Sequence, residues 1–95
     1  MSYLEGSGQR LAVHSGLDVE RFRTLFEQAW PDVERYARRR VGPDASADVA
    51  ADTFAIAWRR FAELPHDPLP WLYGVARRVV ANHRRGAERA GRLVD

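Results

Sequence analysis

The sequence contains no cysteine, no lysine, one methionine and no long apolar run. Without cysteine, the chain has no disulfide framework and no thiolate for catalysis or for zinc. Its apolar runs fall far short of the roughly 20 residues that a bilayer-spanning helix requires. Residues 1–16 lack the basic start and the apolar stretch of a secretory signal. These absences favour a cytoplasmic protein with no membrane segment.

The sequence also lacks the residue motifs that are typical of enzyme active sites. The sequence has no glycine-rich nucleotide loop and no HExxH motif, and no nucleophile and base can be paired. His14, His66 and His83 are far apart, and no cysteine could complete a metal site with them. We therefore expect no catalytic residue, no metal and no cofactor.

Charge is distributed unevenly along the chain. All 15 basic residues are arginine, and residues 70–95 hold six of them against two acids. Residues 1–69 hold the other nine arginines against eleven acids. Clustered cations attract phosphate, whereas an acidic surface prefers a basic protein, so this polarity suggests two different partners. The alternative is an arginine-rich genome that places arginine on any solvated helix.

Residues 18–41 repeat apolar side chains with the period of an amphipathic helix. The repeating positions are Phe22, Leu25, Phe26, Ala29, Val33, Tyr36 and Ala37. Asp18 is the predicted N-cap, and Pro31 is expected either to kink the helix or to restart it. Gly42 and Pro43 should end it.

A second helix is predicted to open at Asp44 or Ser46, both good capping residues. Its apolar positions are Ala47, Ala50, Phe54, Ala57, Trp58 and Phe61. Three acids spaced four apart, Asp44, Asp48 and Asp52, form a like-charge stripe on its outer side. Such a stripe costs stability and therefore suggests a partner. We expect Tyr36, Phe54, Trp58 and Phe61 to pack in the core.

Residues 64–70 are too rich in proline for a helix and predict a rigid connector. A third helix should begin at Pro70 or Trp71 and run to about Arg85 and Gly86. Arg78, Asn82, Arg85 and Arg89 share one side of it, flanked by Arg77 and Arg84. No segment alternates with period two, so the pattern predicts an all-α fold, a compact three- to four-helix bundle.

The order of these elements resembles region 2 of the extracytoplasmic-function sigma factors. Five blocks carry the resemblance: FRTLF at 22–26, YARRR at 36–40, DVAADTFAIAW at 48–58, WLYGVAR at 71–77 and ANHRR at 81–85. The match covers roughly residues 22–89. It implies a transcription initiation factor domain that binds core RNA polymerase and that recognises and melts the minus-ten promoter element.

The resemblance also implies roles for single residues. Asp48 and Asp52 correspond to the acidic block that docks on the clamp helices of the largest polymerase subunit. Position 51 is alanine here, where the family often has glutamine. The resemblance implies as well an anti-sigma protein that hides the polymerase-binding surface.

The third helix resembles the segment that opens DNA and holds the melted minus-ten strand. The residues carried over to DNA binding are Trp71, Arg77, Arg78, Asn82, Arg84, Arg85 and Arg89. Position 78 is arginine where the family often has asparagine, and a tryptophan at position 71 could instead belong to the core. Residues after Asn82, through Gly86 and Gly91, correspond to a loop that captures an extruded base. His83 is expected to face phosphate or solvent.

The resulting domain organisation is a flexible segment at 1–17, a helical domain at 18–89 and the start of an interdomain linker at 90–95. The family's second, promoter-box-reading domain has no counterpart in this length, so we expect either an excised fragment, which we favour, or a natural truncation. Two alternatives stay open. One is a sigma-like decoy that sequesters an anti-sigma protein, and the other is a general arginine-rich nucleic-acid-binding module.

Overall fold

The computed structural model describes residues 15–94. Within that range the chain forms three α-helices and one short 3-10 turn, and no strand. The elements are α1 (Gly16–Val41), α2 (Pro43–Arg59), the 3-10 turn (Phe61–Glu63) and α3 (Leu69–Val94). The all-α fold predicted from the apolar period is confirmed. None of these helices is long and apolar enough to cross a membrane.

Helix α1 begins earlier than its period indicates. Ser15 is the N-cap: its hydroxyl accepts a hydrogen bond from the Asp18 amide at 3.0 Å, and the Asp18 carboxylate accepts one from the Ser15 amide at 3.4 Å. The prediction of Asp18 as the N-cap is therefore wrong, because Asp18 closes a capping box from inside the helix. The helix also continues through Pro31, which excludes the alternative of a restart there, while a kink at Pro31 stays a prediction. Of the segment expected to be flexible, residues 1–14 lie outside the described residues.

A single residue, Gly42, joins α1 to α2. Its φ is 85°, a left-handed conformation that glycine adopts without strain, and its amide donates to the Arg38 carbonyl at 2.9 Å. Pro43 occupies the first position of α2, where its missing amide hydrogen costs nothing. Neither Asp44 nor Ser46 caps this helix, which corrects the sequence-based expectation. The short junction makes α1 and α2 neighbours.

The core forms where the three helices meet. One cluster of buried residues joins all three and consists of Ala29, Val33, Ala50, Phe54, Ala57, Leu72 and Ala76. A second cluster consists of Ala37, Val49, Val75, Val79 and Val80. Alanines recur at these contacts, and small side chains there let helix axes approach closely. Tyr36, Trp58 and Phe61, predicted as core, are only partly buried.

A buried hydroxyl links α1 to α2. The Ser46 hydroxyl donates to the Glu34 carboxylate at 2.6 Å, and Arg38 donates to the same oxygen at 2.7 Å. The hydrogen bond from Ser46, followed by that from Arg38, holds the pKa of Glu34 below its ordinary value. Ser46 therefore packs between helices instead of capping one.

Helix α3 is longer than the sequence pattern predicts. It passes through Gly86 and Gly91 and ends at Val94. The predicted end near Gly86 is therefore wrong, and the residues expected to form a base-capturing loop are helical. A glycine inside a helix costs about 1 kcal/mol relative to alanine, which weakens this segment without breaking it. The assignment of residues 90–95 to a linker stays a prediction.

Candidate functional site

Two acids, Asp48 and Asp52, lie one turn apart on the solvent-facing side of α2, and we call them the acid pair. Both are exposed, as their spacing predicts. The three ion pairs found among residues 15–94 join other residues: Arg35 to Asp32, Arg38 to Glu34 and Arg60 to Glu63. The acid pair therefore forms no ion pair within the described part of the chain.

Four polar residues share the outer side of α3: Arg78, Asn82, Arg85 and Arg89. We call them the arginine face. All four are exposed, and their spacing of four, three and four residues keeps them on one helical face. The Arg85 guanidinium donates a hydrogen bond to the Asn82 side-chain oxygen. That bond leaves the two amide hydrogens of Asn82 for other acceptors.

The other two arginines carried over to DNA binding, Arg77 and Arg84, lie on a different edge of α3. Arg84 donates a hydrogen bond at 2.8 Å to the Arg40 carbonyl, at the end of α1. Arg77 precedes Arg84 by seven residues and so shares its side of the helix. The sequence predicts one strip of six basic and amide residues. The structure divides it into the arginine face and an edge that borders α1.

An open groove between α2 and α3 brings the acid pair beside the arginine face. It has a volume of about 400 Å³. Asp48 and Asp52 line one wall, while Asn82 and His83 line the other. His83 is exposed, as expected for a residue that faces phosphate or solvent. Residues assigned by resemblance to two different partners thus lie across a single groove.

Trp71 is partly buried at the start of α3. It packs against both clusters of the core, and the Arg60 guanidinium lies 5.7 Å above the centre of its ring. These contacts favour the packing role that the sequence left open. A contact between the exposed part of this ring and a DNA base stays a prediction.

An apolar groove between α1 and α2 is the feature that sequence reasoning missed. It has a volume of about 460 Å³. Its lining, which we call the aromatic groove, consists of Val19, Phe22, Phe26, Trp30, Ala51, Phe54, Ala55 and Trp58. Phe26, one of the repeating apolar positions of the first predicted helix, is 37% exposed. A second apolar stripe at positions 19, 22, 26 and 30 was the available signal.

The fold and these surfaces define a small helical binding module with adjoining acidic, apolar and cationic surfaces. Residues 25–90 match the family Sigma-70 region 2. The chain therefore belongs to the sigma-70 region 2 family. A domain of this family is a non-enzymatic part of the transcription initiation machinery that binds RNA polymerase and promoter DNA. Searches of curated proteins and of solved structures gave no significant match.

Proposed function

We propose that this chain is the region 2 domain of an extracytoplasmic-function sigma factor. It acts in the bacterial cytoplasm, docks on the clamp helices of the largest polymerase subunit and holds the melted minus-ten strand. The observation that carries the proposal is the groove in which the acid pair faces Asn82. A polymerase-directed surface and a DNA-directed surface that share one groove suit a domain that works between polymerase and promoter.

The polymerase-directed surface combines charge with apolar area. The acid pair lies on α2 beside exposed Ala51 and Ala55, which also line the aromatic groove. An apolar centre bordered by charged residues is the usual composition of a protein interface. The family often has glutamine at position 51, and alanine there extends the apolar centre.

The DNA-directed surface is the arginine face. Guanidinium groups bind phosphate oxygens in a forked geometry, whereas an amide can read the edge of an unpaired base. Asn82, whose oxygen is held by Arg85, can still donate to a base. Arg78, Arg85 and Arg89 therefore serve affinity for the strand, and Asn82 serves its sequence preference.

We expect the chain to bind the single-stranded minus-ten strand weakly and with steep salt dependence. Each phosphate neutralised on a single strand contributes about 0.7 to the slope of log affinity against log salt. The three arginines of the arginine face would give a slope near −2, and the R78A/R85A/R89A variant should flatten it by about 2. Fluorescence anisotropy at several salt concentrations measures both slopes.

Two further variants sharpen this experiment. R21A/R23A removes two charges from exposed positions near the start of α1 and should keep the parental slope. Asn82→Ala should keep the slope too, but should lose the preference for promoter strand over scrambled strand, since an amide carries no charge. If R78A/R85A/R89A keeps the parental slope, the arginine face does not contact phosphate and this assignment fails.

An anti-sigma protein is the second proposed partner. If it covers the acid pair and the aromatic groove, it must compete with core polymerase for this chain. Size-exclusion chromatography of the chain with both partners should yield two separate binary complexes. A stable complex of all three would contradict a shared surface.

The two alternative functions differ from this proposal in the surfaces that they require. A decoy for an anti-sigma protein has no need of three exposed DNA-directed arginines on α3. A general nucleic-acid module has no need of an acid pair beside an apolar groove. A pull-down that offers the chain core polymerase separates them, because neither alternative predicts that polymerase is retained.

A further inference from the structure

Helix α1 ends in three consecutive arginines, part of the YARRR block, to which the resemblance assigned no role. Arg38 is engaged by Glu34, with 2.7 Å between the Nη2 and Oε2 atoms. Arg39 and Arg40 are exposed and take part in none of the ion pairs found between residues 15 and 94. Cations at a helix C-terminus interact favourably with the helix dipole, each contributing up to about 1 kcal/mol when exposed.

Helix α3 packs against the C-terminal end of α1. The Arg84 guanidinium donates to the Arg40 carbonyl at 2.8 Å, although 44 residues separate the two in sequence. An arginine has five donor hydrogens, so this bond leaves most of the Arg84 guanidinium for another acceptor. The end of α1 and the inner edge of α3 thus form one cationic surface.

Two contacts with Tyr36 hold the Arg40 side chain in place within the chain itself. Its Cζ atom lies 3.7 Å from the centre of the Tyr36 ring, and its Nη1 donates to the Tyr36 carbonyl at 3.2 Å. The Tyr36 ring packs in turn against Tyr73 of α3, with 5.2 Å between ring centres. Tyr73, Arg77 and Arg84 share one side of α3, because four and seven residues separate them.

Arg39 belongs to this surface as well. It lines a shallow groove with Tyr36 and Tyr73. Asp32 and Arg35 line the same groove, and the carboxylate of Asp32 is engaged by Arg35 at 3.0 Å. We call Arg39, Arg40, Arg77 and Arg84 the composite arginine surface.

The chemistry of this surface suits a run of phosphates. Neighbouring guanidinium groups repel one another unless an anion lies between them, and the nearby acids Asp32 and Glu34 already have partners. The Tyr36 ring is covered by Arg40, and this surface has no amide comparable to Asn82. Contacts made by guanidinium groups alone position a nucleic acid without reading its bases.

We propose that the composite arginine surface binds the phosphate backbone of double-stranded DNA next to the melted segment. The proposal rests on the proposed function, because it assumes that the arginine face holds the single strand. It adds α1 to the DNA-binding surface and assigns the two edges of α3 to different forms of DNA. Arg39 and Arg40 are its new DNA-contacting residues.

The test compares R39A/R40A with R21A/R23A, which removes the same charge from the other end of α1. Anisotropy titrations from low salt upwards use three probes: promoter duplex, the single minus-ten strand, and a fork that joins the two. Each phosphate contact to duplex DNA contributes about 0.9 to the salt slope, so R39A/R40A should flatten the duplex and fork slopes by about 2. Its slope on the single strand should not change, and R21A/R23A should change none.

Two more variants test whether an effect of R39A/R40A comes from lost charge or from lost structure. R39A leaves the contacts of Tyr36 with Arg40 and Tyr73 in place, so it should not alter the melting temperature. It should flatten the duplex slope by about 1. R39K/R40K keeps both charges and should keep the duplex slope. Equal duplex slopes for R39A/R40A and R21A/R23A would overturn the proposal, as would undetectable duplex binding at low salt.

The remaining outcomes separate this proposal from the one on which it rests. If R39A/R40A instead weakens binding to core polymerase and keeps its duplex slope, the surface faces a protein and the inference is wrong. If R78A/R85A/R89A keeps its single-strand slope, the proposed function of the arginine face is wrong, whatever the duplex shows.

Discussion

Replacing Asp48 and Asp52 together by arginine should weaken binding to the clamp helices of core polymerase by at least about 100-fold. The change replaces two attractive charges with two repulsive ones at the proposed interface, and like charges placed opposite each other cost several kcal/mol. Both side chains are exposed and pair with no cation among residues 15–94, so the fold should persist. A binding titration measures the affinity, and circular dichroism checks the helix content.

The control for this experiment reverses two acids elsewhere. E20R/E27R produces the same change in net charge on exposed positions of α1 and should change the affinity far less. D48N/D52N removes the charge without reversing it and should fall between the parent and D48R/D52R. Unchanged affinity for D48R/D52R would mean that the acid pair does not contact polymerase and interacts only with the dipole of α2. Lost helicity would mean that these positions do not face solvent as the structure has them.

Replacing Phe54 by alanine should lower the free energy of unfolding by about 3–5 kcal/mol. Phe54 is only 2% exposed and belongs to the cluster that joins all three helices. Its ring contacts Phe26 at 5.0 Å, Trp30 at 5.8 Å and Phe22 at 6.3 Å between centres. Since the whole stability of a small domain is about 5–15 kcal/mol, this variant should be largely unfolded at moderate denaturant concentration.

Urea denaturation followed by circular dichroism measures that loss. Phe26→Ala is the matched comparison, because its ring belongs to the same set of contacts but is 37% exposed, and it should cost clearly less. A loss below about 1 kcal/mol for Phe54→Ala would mean that the site refills or that the aromatic side chains lie outside the cooperative core. If Phe26→Ala leaves stability unchanged and weakens polymerase binding, the aromatic groove serves docking.

The number and order of the helices could be predicted because they depend on local chemistry. Apolar residues at the helical period mark α1, α2 and α3, and Gly42 with Pro43 marks the break between the first two. The outward position of Asp48 and Asp52 follows from the same period. The ends of the helices were less predictable. Ser15 replaced Asp18 as the cap of α1, and α3 continued through Gly86, because caps and glycines shift local preference by only about 1 kcal/mol.

By itself the sequence determined an all-α chain with an acidic second helix and an arginine-rich third helix, since spacing along one helix fixes which residues share a face. Only the tertiary structure decided which faces meet. It brought Arg84 to the carbonyl of Arg40, placed Asp48 across a groove from Asn82, and left the Phe26 ring partly uncovered. These juxtapositions depend on how the helices rotate and cross as their alanine-rich contacts pack, which the period of one helix does not encode.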